Sequence, residues 1–133
     1  AKLEVPVIAI ITGEGCSGGA LGLAVANKVF LLEHAYYTVI SPEGCASILW
    51  RDATKSNEAA AALKITADDL LSFGVIDGKI LEPTGGAHKD YDEISANMKN
   101  TILESLNELS QLSGAELKSL RYEKFRKMGV CLQ

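Results

Sequence analysis

Ten residues, Gly13-Glu14-Gly15-Cys16-Ser17-Gly18-Gly19-Ala20-Leu21-Gly22, carry the densest chemical potential in the chain. Glycines at 13, 15, 18 and 19 let backbone approach a ligand closely and make positive φ inexpensive. An apolar run, Val5 to Ile11, precedes them, and the small-residue stretch Ala20 to Ala26 follows. Strand, glycine turn and helix start leave free N–H groups facing outward, suited to a phosphate or a developing oxyanion. Three motifs share these residues. Gly13-x-Gly15-x-x-Gly18, with Glu33 twenty residues on from Gly13 at the end of the next apolar run, fits a dinucleotide fingerprint. Gly15-Cys16-Ser17-Gly18-Gly19 fits the G-x-S-x-G nucleophile elbow, for which only His34 and His88 are available as bases. In the third reading Cys16 and Ser17 are bystanders and the Gly18 and Gly19 amides do the chemistry. A packing turn, in which glycine only lets strand and helix touch, is the plain structural alternative. Local chemistry does not separate these readings.

The elements that must position this turn are readable from periodicity and turn chemistry. Lys2 to Thr12 predicts a first strand, and Ala20 to Ala26 a short buried helix. Asn27 to Glu33 and Tyr36 to Ser41 predict two more strands, separated by His34 and Ala35 as a hairpin or as one layer of a coiled β-β-α unit. Ser41, Pro42 and Glu43 form a helix start, and Trp50 reads as a core or interface residue. Ser56 to Leu63 is a helix. Thr66 with Asp69 caps another, which Gly74 ends before a short strand from Val75 to Leu81. Glu82-Pro83-Thr84-Gly85-Gly86-Ala87-His88 is a loop. Beyond Asp90, Ile94, Met98, Ile102, Leu106 and Leu109 recur at helical spacing, and Ser113 with Glu116 opens a last helix. That helix has a basic end, Arg121, Lys124, Arg126 and Lys127, read as a solvated face. These patterns divide the chain at residues 1–89 and 90–133, an α/β layer and a helical tail.

Composition bounds the function. A chain of 133 residues with 47% hydrophobic content supports a packed core, and a net charge of -4 argues against a nucleic-acid surface. No apolar run reaches the length of a membrane span, and no signal peptide is visible. Cysteines at 16, 45 and 131 match no zinc spacing, so no metal is expected, and they suit a reducing, cytosolic setting. Ala1 in place of Met marks either processing or a piece of something longer.

Several long segments, in order, carry a resemblance. Gly13-Glu14-Gly15-x-Ser17-Gly18-Gly19-Ala20-Leu21, Tyr37-x-Val39 through Trp50, Ile76-Asp77 through His88, and Arg121 through Gly129 resemble the carboxyltransferase α subunit of multi-subunit acetyl-CoA carboxylase. The resemblance implies an α/β crotonase-like (ClpP/crotonase) fold of layered β-β-α units, incomplete at the N-terminus, with a C-terminal helical tail. It implies carboxyl transfer from carboxybiotin to acetyl-CoA, giving malonyl-CoA for fatty-acid biosynthesis. By carry-over, Gly18 and Gly19 supply a backbone N–H oxyanion hole, and Gly15, Ser17 and Gly44 contact substrate. It further implies a carboxyltransferase β subunit, a biotin carboxyl carrier protein and an α2β2 assembly, in the cytoplasm or the plastid stroma. Two departures stand out. Cys16 occupies a position where the family usually has a small residue such as Gly, and α subunits are considerably longer. The alternatives from other classes are a ClpP-like serine hydrolase or peptidase using Ser17 and His88, and a non-catalytic assembly module.

Overall fold

A computed structural model describes residues 2–129. Five short strands and six helices alternate: β1 (Ile8–Ile11), β2 (Glu14–Cys16), α1 (Ser17–Leu23), β3 (Lys28–Leu32), β4 (Tyr36–Thr38), α2 (Pro42–Trp50), α3 (Ser56–Leu63), α4 (Ala67–Ser72), β5 (Gly78–Ile80), α5 (Tyr91–Leu109) and α6 (Gly114–Arg126). The strands form two sheets, ordered β1-β3-β5 and β2-β4, and every pair of strands is parallel. Ile8 faces Lys28 in one sheet and Glu14 faces Tyr36 in the other. The hairpin between β3 and β4 therefore does not form. The turn at His34 and Ala35 carries the chain from one sheet to the other, and the second β-β layer repeats the first.

The first strand is shorter than its apolar run. Residues before Ile8 are held by side chains in place of a ladder: the Arg121 guanidinium donates to the carbonyls of Leu3 and Val5, and Val7 N–H donates to Asn27 Oδ1. The fourth strand stops at Thr38, whose hydroxyl donates to the Ile40 carbonyl and turns the chain toward α2. The last strand likewise contracts to three residues; just before it, Asp77 N–H donates to the Val29 carbonyl while its carboxylate accepts from Val29 N–H. Inside the glycine run the residues Glu14–Cys16 form β2, an unexpected strand.

Helix α1 differs most from expectation. It starts at Ser17, three residues early, and none of its residues is buried; Leu23 is 81% exposed. Helix α3, behind Lys55, also lacks a side-chain cap, whereas the remaining four helix starts follow their capping chemistry. Ser41, Thr66, Asp90 and Ser113 each accept from the N–H three residues on, and Ser113 with Glu116 completes a capping box.

The main core joins Val29, Leu31, Leu32, Tyr37, Leu70, Ile76, Ile80 and Ile94. A second small core, Cys45, Ala46 and Ala59 with Ile40 and Leu63, lies between α2 and α3. Trp50 is outside both and is exposed, as are Ile48 and Leu49.

The basic end of α6 is a solvated face only at Arg126 and Lys127; Arg121 and Lys124 reach inward. Arg121 is only 2% exposed and donates to Asn27 Oδ1 at 2.7 Å, while Asn27 Nδ2 donates to the Leu117 carbonyl at 2.8 Å. Lys124 pairs with Asp77 and donates to the Asn27 carbonyl. Long cationic stems reach inward here because strand ends present carbonyls and a carboxylate that need donors.

Candidate functional site

The glycine turn stands where β2 passes into α1. Its geometry starts with Gly15, buried in β2. A Cβ there would sit 2.8 Å from Ile11 Cγ2 and 3.2 Å from the Tyr36 carbonyl oxygen, so only glycine lets the two layers close. Cys16, extended and half-buried, occupies the N-cap of α1 and offers no side-chain cap. The first-turn N–H groups of α1 thus lack the side-chain partner that the α2, α4, α5 and α6 starts have. Gly18 and Gly19 are exposed, and nothing lies within 4 Å of the Cβ either would carry. The result is an exposed glycine helix start with no side-chain cap and room beside it.

Ser17 has φ 61, a left-handed conformation at a strand-to-helix turn, as an elbow requires. No base accompanies it. Among the described residues neither the Ser17 hydroxyl nor the His88 ring takes part in a hydrogen bond. Tyr36, beneath the turn, stays protonated at neutral pH: burial first, then the Glu14 carboxylate beside it, push its hydroxyl above the usual range. Glu33, the acidic residue of the dinucleotide fingerprint, accepts from Glu82 N–H at 3.3 Å. Gly44 belongs to a different element, the first turn of α2, where a Cβ would meet Ile40 and Ser41 at 3.1 Å. Chain continuity thus brings Gly15, Ser17, Gly18 and Gly19 together, while Gly44 packs against Ile40, which belongs to the small core between α2 and α3.

A second polar cluster went unnoticed in the sequence. Glu82, its side chain 7% exposed, accepts from His34 N–H at 2.7 Å and from Ala87 N–H at 3.0 Å, with His34 Nδ1 at 2.6 Å. Burial raises its carboxyl; the two His34 hydrogen bonds, the Ala87 N–H and the His34 charge outweigh this and hold it below the usual range. The cluster ties the Gly85-Gly86 loop to the turn between the sheets. Its one sequence signal is the polar Glu82 beside Pro83, which gives no hint of a partner 48 residues away.

Parallel β-β-α layers and an uncapped glycine helix start define a crotonase-like α/β protein. The transcarboxylase 12S crystal structure with methylmalonyl-coenzyme A and methylmalonic acid bound matches this fold with a TM-score of 0.63, at 18% identity, over 81% of this chain and 20% of that chain. The chain belongs to the acetyl co-enzyme A carboxylase carboxyltransferase-like family, whose sequence model matches residues 1–129. It is 55% identical over 132 residues to the acetyl-coenzyme A carboxylase carboxyl transferase subunit alpha of Crocosphaera subtropica, covering 99% of this chain and 40% of that subunit. It is 56% identical over 128 residues to the same subunit of Clostridium beijerinckii, covering 96% of this chain and 47% of that one. The chain thus spans less than half the length of these curated relatives.

Proposed function

We propose that this chain forms the carboxybiotin side of the carboxyltransferase component of acetyl-CoA carboxylase, which moves a carboxyl group from carboxybiotin to acetyl-CoA and yields malonyl-CoA for fatty-acid biosynthesis. The observation that carries the reading is the uncapped start of α1, with Gly18 and Gly19 exposed and open space where their side chains would be. This donor set fits the ureido oxygen of biotin: N–H groups, no side chain in the way, and no base at the turn. When bound on its carrier protein, carboxybiotin supplies the carboxyl group. The Gly18 and Gly19 N–H groups would hold the ureido oxygen of bound carboxybiotin and would stabilise negative charge there. Being fixed by the helix, they need little reorganisation during the reaction. Gly15 keeps the layers close enough to aim them, and in this reading Ser17 and Gly44 would contact the substrate. The acetyl-CoA would be presented by a carboxyltransferase β subunit in an α2β2 assembly, in the cytoplasm or the plastid stroma.

The test is the reverse half-reaction, biotin-dependent decarboxylation of malonyl-CoA. It uses this chain, a β subunit, and the α-subunit sequence that the relatives carry outside the matched stretch. Activity is expected only when all parts are present. Gly19→Pro removes one donor in the first helical turn, where proline is tolerated, and should lower the rate by ~10²–10³. Gly19→Ala keeps the donor and meets open space, so it should cost far less. Equal rates for the two variants would sink the oxyanion role. Ester hydrolysis abolished by Ser17→Ala would replace the reading with a hydrolase.

A further inference from the structure

Among the described residues β2 pairs with β4 alone, so the glycine turn stands where β4 sets it. Tyr36 opens β4. Its N–H donates to the Gly13 carbonyl at 3.1 Å, and its own carbonyl lies 3.2 Å from where a Gly15 Cβ would be. A shift of Tyr36 is therefore passed to Gly15 and the residues after it, because close-packed backbone transmits displacement. Farther along β4, Tyr37 N–H donates to the Ile65 carbonyl at 3.1 Å. The start of β4 depends on the turn Glu33-His34-Ala35, which joins the two sheets. Glu33 N–H donates to the Ile80 carbonyl at 2.9 Å, and Ala35 N–H to the Leu32 carbonyl at 3.0 Å. The N–H between them, that of His34, has a side-chain acceptor, the Glu82 carboxylate at 2.7 Å. Glu82 is itself anchored just past β5, where its N–H donates to Glu33 Oε2 at 3.3 Å. One carboxylate oxygen serves His34 and the other serves Ala87. The Ala87 loop also closes on itself, through Gly86 N–H to the Pro83 carbonyl and Lys89 N–H to the Gly86 carbonyl. The bond that matters most for position is thus the one to the turn.

We propose that Glu82 is a positioning residue for carboxyl transfer: its carboxylate fixes the turn between the sheets and, through Tyr36, aims the Gly18 and Gly19 N–H groups. The inference rests on the carboxyltransferase reading for its chemistry and on these hydrogen bonds for its geometry. A carboxylate suits the task because it accepts from two N–H groups at once, and an ionised acceptor makes the shorter, stronger bonds. Its side chain is 7% exposed, so water is a poor replacement. Glutamine there accepts on one oxygen only, and alanine on none. Preorganised donors act at a set distance, so a small displacement of the turn costs rate more than it costs substrate affinity.

The experiment has a kinetic arm and a spectroscopic arm. In malonyl-CoA decarboxylation by the assembled enzyme, Glu82→Ala should lower kcat by ~10- to 100-fold and leave KM for malonyl-CoA nearly unchanged. Glu82→Gln should recover part of the rate. Arg121→Lys loosens contacts that precede β1, away from the turn, and should keep kcat. Added to Gly19→Pro, Glu82→Ala should cost little more, since both act on the same donors. In the isolated chain labelled with 15N-glycine, Glu82→Ala should shift the amide signals of Gly13, Gly15, Gly18 and Gly19 and leave Gly114, at the start of α6, in place. Should the alanine variant fail to fold, Glu82→Gln gives both readouts at smaller size. Unmoved glycine signals would overturn the proposal. So would a kcat loss no greater than that of Arg121→Lys, or full additivity with Gly19→Pro. If Gly19→Pro itself keeps the rate, the oxyanion reading falls, and the glycine signals decide whether Glu82 holds the turn.

Discussion

At residue 17 a serine takes φ 61, a conformation that costs an L-residue roughly 1–2 kcal/mol and glycine almost nothing. Glycine loses more freedom on folding, by roughly 0.5–1 kcal/mol. Ser17→Gly should therefore stabilise the chain by up to about 1 kcal/mol in urea unfolding, and, with the hydroxyl idle, leave malonyl-CoA decarboxylation by the assembled enzyme near its original rate. A large loss of rate would restore the hydroxyl to the chemistry. Glu82 makes the opposite kind of case, a buried carboxylate with its donors in place. Its folded pKa lies below the unfolded value, so its contribution is present above the ordinary carboxylate pKa and is lost as pH falls through the folded value. Acid titration of stability should therefore show a loss below about pH 4 that is smaller in Glu82→Gln, while at neutral pH the variant is the less stable of the two. Parallel acid limbs for the two proteins would refute this account of Glu82.

At the scale of elements, α6 is held to the strand start by hydrogen bonds more than by apolar contact. Leu117 is its one buried apolar residue, and Arg121 the buried charge. Arg121→Leu would leave the carbonyls of Leu3 and Val5 without this donor and Asn27 Oδ1 with only the Val7 N–H. A lost hydrogen bond to a charged donor costs about 1.5–3 kcal/mol and less where water can replace it, so a loss of about 1–3 kcal/mol is expected, read as a lowered urea midpoint. Arg121→Lys should recover only part of it, since an ammonium lacks the fork that spans two carbonyls. If the leucine variant were as stable as the parent, the packing of Leu117 and Lys124 would have to hold α6 by itself.

Over the whole molecule the two cores are unequal. The sheets, α4 and α5 share the larger one, while α2 and α3 close on three small buried side chains and two flanking ones. With Ile48, Leu49 and Trp50 facing solvent, little burial resists opening of that lobe. Native-state amide exchange should show α2 and α3 opening at a free energy well below that of β3, the most enclosed strand. Identical opening energies would mean that the lobe and the sheets unfold as one unit.

Much of the element order was legible because it depends on short-range chemistry. Ser41 before Pro42, Thr66 before Asp69, Asp90 before Tyr91 and the Ser113-Glu116 box mark helix starts by donor and acceptor geometry within four residues. The glycine turn was legible for the same reason, since Gly18 and Gly19 act through their own backbone. The first strand was longer in the sequence than in the fold, because Leu3 and Val5 have the right types for a ladder but their carbonyls bond to Arg121 instead. A basic helix end likewise looks solvated until Asn27, far away in sequence, meets Arg121. The sequence by itself determined where the N–H donors and caps lie, because those interactions close within one turn. Only the tertiary structure decided which strands are parallel neighbours, which charges are buried and which sheet edge stays open, because each depends on partners distant along the chain.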